Sequence, residues 1–350
     1  MHMADALLSP AVGGVMLAAT AVAAVYSAKK ARQDLDHRSI PLMGVMGAFI
    51  FAAQMINFSI PGTGSSGHIG GGLLLAVLLG PGEGFLTMAA ILLIQALFFA
   101  DGGLLAYGCN VFNLGFYTCF IAFPLIFRPI LRKKWSAGRI WTASLAAAVI
   151  GLQLGAFSVV LETVFSGKTE LPFQTFVLLM QPIHLAIGVV EGLVTAAVVT
   201  YIWKVRPELL AGAASRPEKP SSSMKKVLVV LGLAVLLIGG GLSWFASANP
   251  DGLEWSMFKV AGKTELSSAD PLHQVLADIQ TKTAFLPDYS FKPAAGNAEA
   301  DRSEDSPAAW PAVDAGTSVS GLVGGLMTLG LTVIIGLAVY WIRRRRRKTA

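Results

Sequence analysis

The sequence predicts an all-α integral membrane protein. Only 14% of its 350 residues are charged and 54% are hydrophobic, whereas about a quarter of a soluble domain is charged. The apolar residues gather into nine runs and mean hydropathy is +0.62. Most runs approach the roughly 20 residues that a helix needs to cross the hydrocarbon layer. The basic residues cluster at the ends of these runs, as in a multi-pass chain.

Taken in order, the expected spans are 7–27, 41–58, 69–80, 84–100, 103–127, 140–165, 173–203, 226–247 and 318–342. The third is short and glycine-rich, so it is either a brief span or a re-entrant segment shielded by its neighbours. Charge favours a span. Lys29, Lys30, Arg32 and Arg38 follow the first run, and Arg128, Arg132, Lys133, Lys134 and Arg139 follow the fifth. Lys204 and Arg206 follow the seventh, Lys225 and Lys226 precede the eighth, and Arg343 to Lys348 follow the last. With all of these in the cytoplasm, the N-terminus is outside, the C-terminus is inside, and an even number of spans separates Arg38 from Arg128.

Much of the formal charge of +6 comes from that final cluster, which reads as a membrane anchor and not as a nucleic-acid surface. The N-terminus lacks a basic leader and places Asp5 before its apolar run, so no cleavable signal is expected. Cys109 and Cys119 both lie in an apolar run and read as packing residues.

The chain divides in two. Residues 206–225 are rich in Pro, Ala and Ser and read as a cytoplasmic linker. Before it stands a membrane domain, 1–205, with seven spans. After it stands an accessory domain, 226–350, in which two spans flank an extracytoplasmic segment, 248–317. That segment holds eleven Asp and Glu against five Lys and Arg, and its second half has the composition of an unstructured loop. Asn249 to Trp255 reads as a turn followed by an acidic-aromatic step.

The chemistry lies at the start of the chain, Met1-His2-Met3-Ala4-Asp5. A free α-amine followed by histidine is a chelator. The amine and the deprotonated His2 amide close a five-membered ring on a metal, and the same amide with His2 Nδ1 closes a six-membered one. Three nitrogens then share a plane, and a fourth completes the square-planar geometry that suits Ni(II) or Cu(II). His68 is the candidate, in the uncharged glycine-rich loop Pro61 to Gly72 that the topology places on the N-terminal side. An uncharged apolar setting keeps its imidazole neutral, the form that ligates. His37 lies among cytoplasmic charges, and His273 has no His or Cys nearby in the outer segment. His184 and Glu191 are two helical turns apart on one face of the seventh span, where His184 reads as an interhelical hydrogen bond or as a support for the site.

Four features together resemble a known family. They are Met1-His2, the loop from Asn57-Phe58 to His68, the step Gly108-Cys109-Asn110-Val111-Phe112-Asn113, and the segment His184 to Gly192. All look like the substrate-capture subunit of energy-coupling-factor (ECF) nickel/cobalt transporters, the NikM/CbiM type. The resemblance covers roughly residues 1–205. Pro250-Asp251-Gly252-Leu253-Glu254 resembles the NikN-like accessory subunit fused to such proteins. The resemblance implies a seven-helix S-component bundle, followed here by a two-span hairpin with an outer loop. It implies a terminal segment inserted into the bundle and ligation through Met1, His2 and His68, with Asn57, Ser65, Ser66, His184 and Glu191 as supporting candidates. It also implies Ni2+ as transported substrate, with Co2+, as for cobalamin synthesis, the alternative. The implied partners are a transmembrane coupling subunit (T component) and cytoplasmic ATPase subunits, in a prokaryotic inner membrane.

Other classes fit less well. Gly262-Lys263-Thr264 resembles the end of a P-loop, but Met257 stands where its first glycine is needed, so ATP must be hydrolysed by partners. A membrane metalloenzyme would need an open coordination position with a base beside it, and no HExxH occurs. A membrane metal sensor would need more His or Cys in the outer segment than the single His273.

Overall fold

The computed structural model describes residues 2–34, 39–211, 223–264, 266, 268, 270–292 and 310–349. Met1, His37, linker residues 212–222 and outer residues 293–309 lie outside the described residues.

Helices form where the apolar runs predict them: α1 (Pro10–Asp34), α2 (Ile40–Gln54), α3 (Gly72–Leu79), α4 (Pro81–Phe98), α5 (Tyr107–Leu131), α6 (Ala137–Phe165) and α7 (Phe173–Val205). In the accessory part α8 (Met224–Gly240) and α11 (Ala315–Thr349) do the same, and α9 (Gly252–Ala261) and α10 (Pro271–Thr283) form in the polar segment between them. Among the described residues the one departure from an all-α plan is a small antiparallel hairpin before α3. In it β1 (Phe58–Ile60) pairs with β2 (Ser65–Gly67), Ser59 opposite Ser66.

Among the described residues, six helices are long and apolar enough to cross a membrane: α1, α4, α5, α6, α7 and α11. The solubility pattern is inside out. Val15, Val22, Leu125, Phe165, Leu178 and Leu326 face outward, while Gln54, Gln95, Asn113, Glu162 and Glu191 are buried. Lipid tolerates the first set, and bundle interiors shelter the second. The chain is therefore a multi-pass membrane protein.

Three expected spans form helices shorter than those six, α2 with 15 residues, α8 with 17 and α3 the shortest. Helix α3 has eight residues, about 12 Å of rise against a hydrocarbon layer of roughly 30 Å. It turns directly into α4 at Gly80, whose φ of +92° suits glycine. It starts near the histidine loop, and the chain just beyond its end, at Gly82, packs on Ser27 near the far end of α1.

The accessory helices dock on the bundle rather than beside it. Helices α8 and α11 both pack on α2, with Thr328 and Thr332 of α11 against Gly47. They meet each other where glycine faces glycine. A Cβ on Gly321 would lie 2.3 Å from Gly239 O, a backbone contact that nothing larger allows. The first half of segment 248–317, where Asn249 to Trp255 reads as a turn, contains two capped helices, and most of the second half lies outside the described residues. Asp251 and Glu254 form a reciprocal capping box on α9, and Asp270 caps α10 ahead of Pro271. Helix α9 rests on α7 and α10 on α4.

Forcing a side chain between α8 and α11 tests this docking. Gly321→Val should destabilise the detergent-solubilised protein by about 1–3 kcal/mol, the usual cost of overpacking, seen as a lower thermal midpoint. An unchanged midpoint would show that the helices do not cross there.

Candidate metal centre

The N-terminal segment is threaded into the bundle and held by its own backbone. Met3 N donates to Asn110 Oδ1 at 2.7 Å, and Met3 O accepts from Asn110 Nδ2 at 3.2 Å and Gly103 N at 2.9 Å. Asp5 Oδ1 accepts from Ala106 N at 2.9 Å. Met3, Leu7 and Leu8 are buried, so the segment is plugged by apolar side chains and satisfied by α5 and the loop before it. The terminal amine belongs to Met1, outside the described residues, so the structure describes the proposed chelate from His2 onward.

The loop bearing His68 is held as firmly. The peptide at Gly70 is gripped on both sides: Gly70 N donates to Glu191 Oε2 at 2.7 Å, and Gly70 O accepts from Gln54 Nε2 at 2.8 Å. Gln95 Nε2 in turn donates to Gln54 Oε1 at 2.8 Å. Three helices, α2, α4 and α7, thus fix one loop peptide two residues beyond His68. His68 Nδ1 faces Ile69 O at 3.1 Å. A carbonyl can only accept, so Nδ1 carries the proton and Nε2 carries the lone pair.

The two histidines meet. Their rings stack with centroids 5.1 Å apart and 20° between planes. Burial pushes each imidazole down to about 3, leaving both neutral at physiological pH. His2 Nδ1 lies 3.2 Å from Asp101 Oδ1, and Tyr289 OH donates to Asp101 Oδ2 at 2.5 Å. Burial raises the Asp101 carboxyl above its ordinary value. Asp251 is held below the usual carboxylate range: burial by itself would raise it, and the Glu254 N–H is among the groups that lower it. A cavity of about 660 Å3 is lined by His2, His68, Gln54, Asn57, Asp101 and Asp251, among others.

The supporting candidates divide. Glu191 holds the loop, and Asn57 lines the cavity while its carbonyl accepts from Ser247 N at 2.7 Å. Ser65 turns its hydroxyl to Thr63 at 2.7 Å, and Ser66 Oγ donates to Asn249 O at 2.8 Å. His184 makes no interhelical bond through Nδ1, which faces Met180 O one turn back at 2.8 Å. His273 is buried, and its Nε2 faces Leu8 O at 3.0 Å. Sequence reasoning missed Asp101, Asp251, Gln54, Gln95, Asn110 as a clamp, and Tyr289. Asp101 carried a local signal, an isolated charge before two glycines at the end of an apolar run, and Asp251 stood in the Pro250 to Glu254 step without being assigned to the site.

The clamp on the N-terminal segment is testable without metal. Asn110→Ala removes two hydrogen bonds to Met3, roughly 1–3 kcal/mol together. Hydrogen exchange of the Met3–Asp5 amides should accelerate on the order of ten- to a hundredfold. Unchanged exchange would mean that α5 does not hold the segment.

Known proteins resemble both parts of the chain. Residues 225–340 match the PDGLE domain. The fused nickel transport protein NikMN of Rhodobacter capsulatus is 32% identical over 260 residues, 70% of this chain and 74% of its own. A chain of Archaeoglobus fulgidus carrying the name NikMN is 31% identical over 333 residues, 95% of this chain and 96% of its own. The crystal structure of a truncated transition metal transporter superposes with a TM-score of 0.52 at 30% identity, covering 58% of this chain and 99% of that one. Residues 2–209 match CbiM, the cobalt uptake substrate-specific transmembrane region, and the chain belongs to that family.

Proposed function

We propose that the chain is the substrate-capture subunit of an ATP-driven ECF uptake transporter for Ni(II), with Co(II) the alternative cargo. The cation is taken from the outer side by the α-amine of Met1, the amide and Nδ1 of His2, and Nε2 of His68, in a square plane. The observation that carries this reading is the meeting of His2 and His68. Two neutral imidazoles, 66 positions apart in sequence, stack within one cavity. Neutral imidazole is the ligating form, and planar nitrogen coordination favours Ni(II). Binding through Nδ1 of His2 would exchange the Asp101 carboxylate for the ion.

Both curated relatives described above carry a nickel transporter's name, which supports transport over catalysis or sensing. Energy comes from partners, a transmembrane coupling subunit and cytoplasmic ATPases, a reading supported by Met257 standing where the P-loop pattern needs its first glycine. The charge clusters orient the chain in a prokaryotic inner membrane with its N-terminus outside and its C-terminus in the cytoplasm.

Two experiments test the site. His68→Ala should weaken nickel binding by at least about a hundredfold in calorimetry while leaving the protein folded. Loss of an outer partner alone costs on the order of 10–100-fold. Unchanged affinity would remove His68 from the site. The second experiment uses the chain end, since one residue added before Met1 converts the ligating amine to an amide. The N-extended protein should bind nickel as poorly as His2→Ala, and a tag after Ala350 should be harmless. Equal binding by N-extended and untagged protein would refute the terminal chelate.

A further inference from the structure

The accessory part reaches the metal cavity through one turn. Asp251 caps α9, its Oδ1 accepting from Leu253 N at 2.7 Å and Glu254 N at 2.9 Å, while its own N donates to Glu254 Oε2 at 2.9 Å. Such a cap could stand anywhere on a surface. This one is stitched to the strand that leads into His68. Ser66 N donates to Pro250 O at 2.8 Å, Ser66 Oγ donates to Asn249 O at 2.8 Å, and Ser66 and Asp251 form a parallel bridge. The next residue brings the turn down onto α7. A Cβ on Gly252 would lie 2.5 Å from Ile183 Cγ2 and 3.4 Å from His184 Cε1. Only a glycine lets the backbone sit this low, and Asp251 therefore lines the same cavity as His2, His68 and Asp101.

The cavity's charge is one-sided. Among the described residues its lining includes Asp5, Asp101, Asp251, Glu254, Asp288 and Asp314, and neither Lys nor Arg. The nitrogens His2 Nε2 and His184 Nε2 are buried without a hydrogen-bond partner among the described residues, one on the cavity wall and one behind Gly252. Acidic walls around buried lone pairs suit a cation.

We propose that Asp251 supplies the counter-charge for the captured divalent cation, so that the metal centre is built by both parts of the chain. This rests on the capture function above. A divalent ion bound through one deprotonated amide and three neutral nitrogens keeps a net positive charge. Enclosing that charge away from water is costly unless a carboxylate stands near it. Asp251 does so from the accessory side, opposite a chelate that belongs wholly to the capture part. The outer segment is thereby a wall of the site as well as its cover.

The test uses the full chain with its native N-terminus and nickel chloride as probe. Asp251→Asn removes the charge but keeps a side-chain oxygen for capping, since Asn and Asp cap equally well. Asp270→Asn, at the cap of α10 and away from the cavity lining, is the matched control. Calorimetry should show nickel binding at least tenfold weaker for Asp251→Asn and unchanged for Asp270→Asn, with both thermal midpoints at the wild-type value in chelator-treated buffer. Wild-type affinity in Asp251→Asn would overturn the inference and leave the capture function standing. So would a weakening matched by a fall in thermal midpoint beyond that of Asp270→Asn, since the residue would then be a cap alone. Wild-type protein that binds neither nickel nor cobalt would refute the capture function itself.

Discussion

The structure depends on one constraint: a chain end and a loop, both polar in their backbones, are buried inside a bundle whose exterior is apolar. Inside such a bundle every unpaired N–H or C=O is expensive. Asn110, Gln54 and Glu191 answer this cost, each taking a backbone group of the inserted segments. They are not a polar core in the ordinary sense. They are the means by which non-helical peptide is stabilised at a place where a metal could be enclosed.

The same constraint explains why the site is stiff. Gly70 is fixed from α2 and α7, with α4 behind α2 through Gln95, while Met3 is fixed from α5 and the loop before it. The two histidines therefore meet through supports carried by five separate regions of the chain. A second polar cluster deeper along α5 and α6 follows the same logic: Asn113 Nδ2 donates to Glu162 Oε2 at 2.9 Å beneath the Met3 side chain. Ser158 completes it from the Glu162 side. Neutral buried imidazoles, a rigid frame and acidic walls are complementary. The first can ligate without losing protons, the second spares the ordering cost of binding, and the third offsets the charge of a cation.

The accessory part is joined to the bundle at both levels. Its long helices dock on α2, and its outer helices reach the N-terminal segment through His273 and Leu8, and the last turn of α4 and the loop after it through Gln280, whose Nε2 donates to Ala96 O and Gly102 O. Tyr289 adds a bond to Asp101, which itself faces His2.

Hydrophobicity acts locally and periodically, so the positions of the long helices and the membrane class are written in the sequence. The chelating potential of Met1-His2 is also local, because it depends on adjacent atoms of one peptide. His68 was legible only as a lone histidine in an uncharged glycine loop, and its partnership with His2 rested on resemblance and topology. Capping of α9 and α10 was written in Asp251-x-x-Glu254 and Asp270-Pro271 but is easily read as a turn, since capping residues and turn residues are the same types. What only the tertiary structure decided is which distant groups share the cavity. Asp101, Asp251, Gln54, Gln95 and Asn110 come from different elements, and nothing in the spacing of one element records the residues packed against it from another.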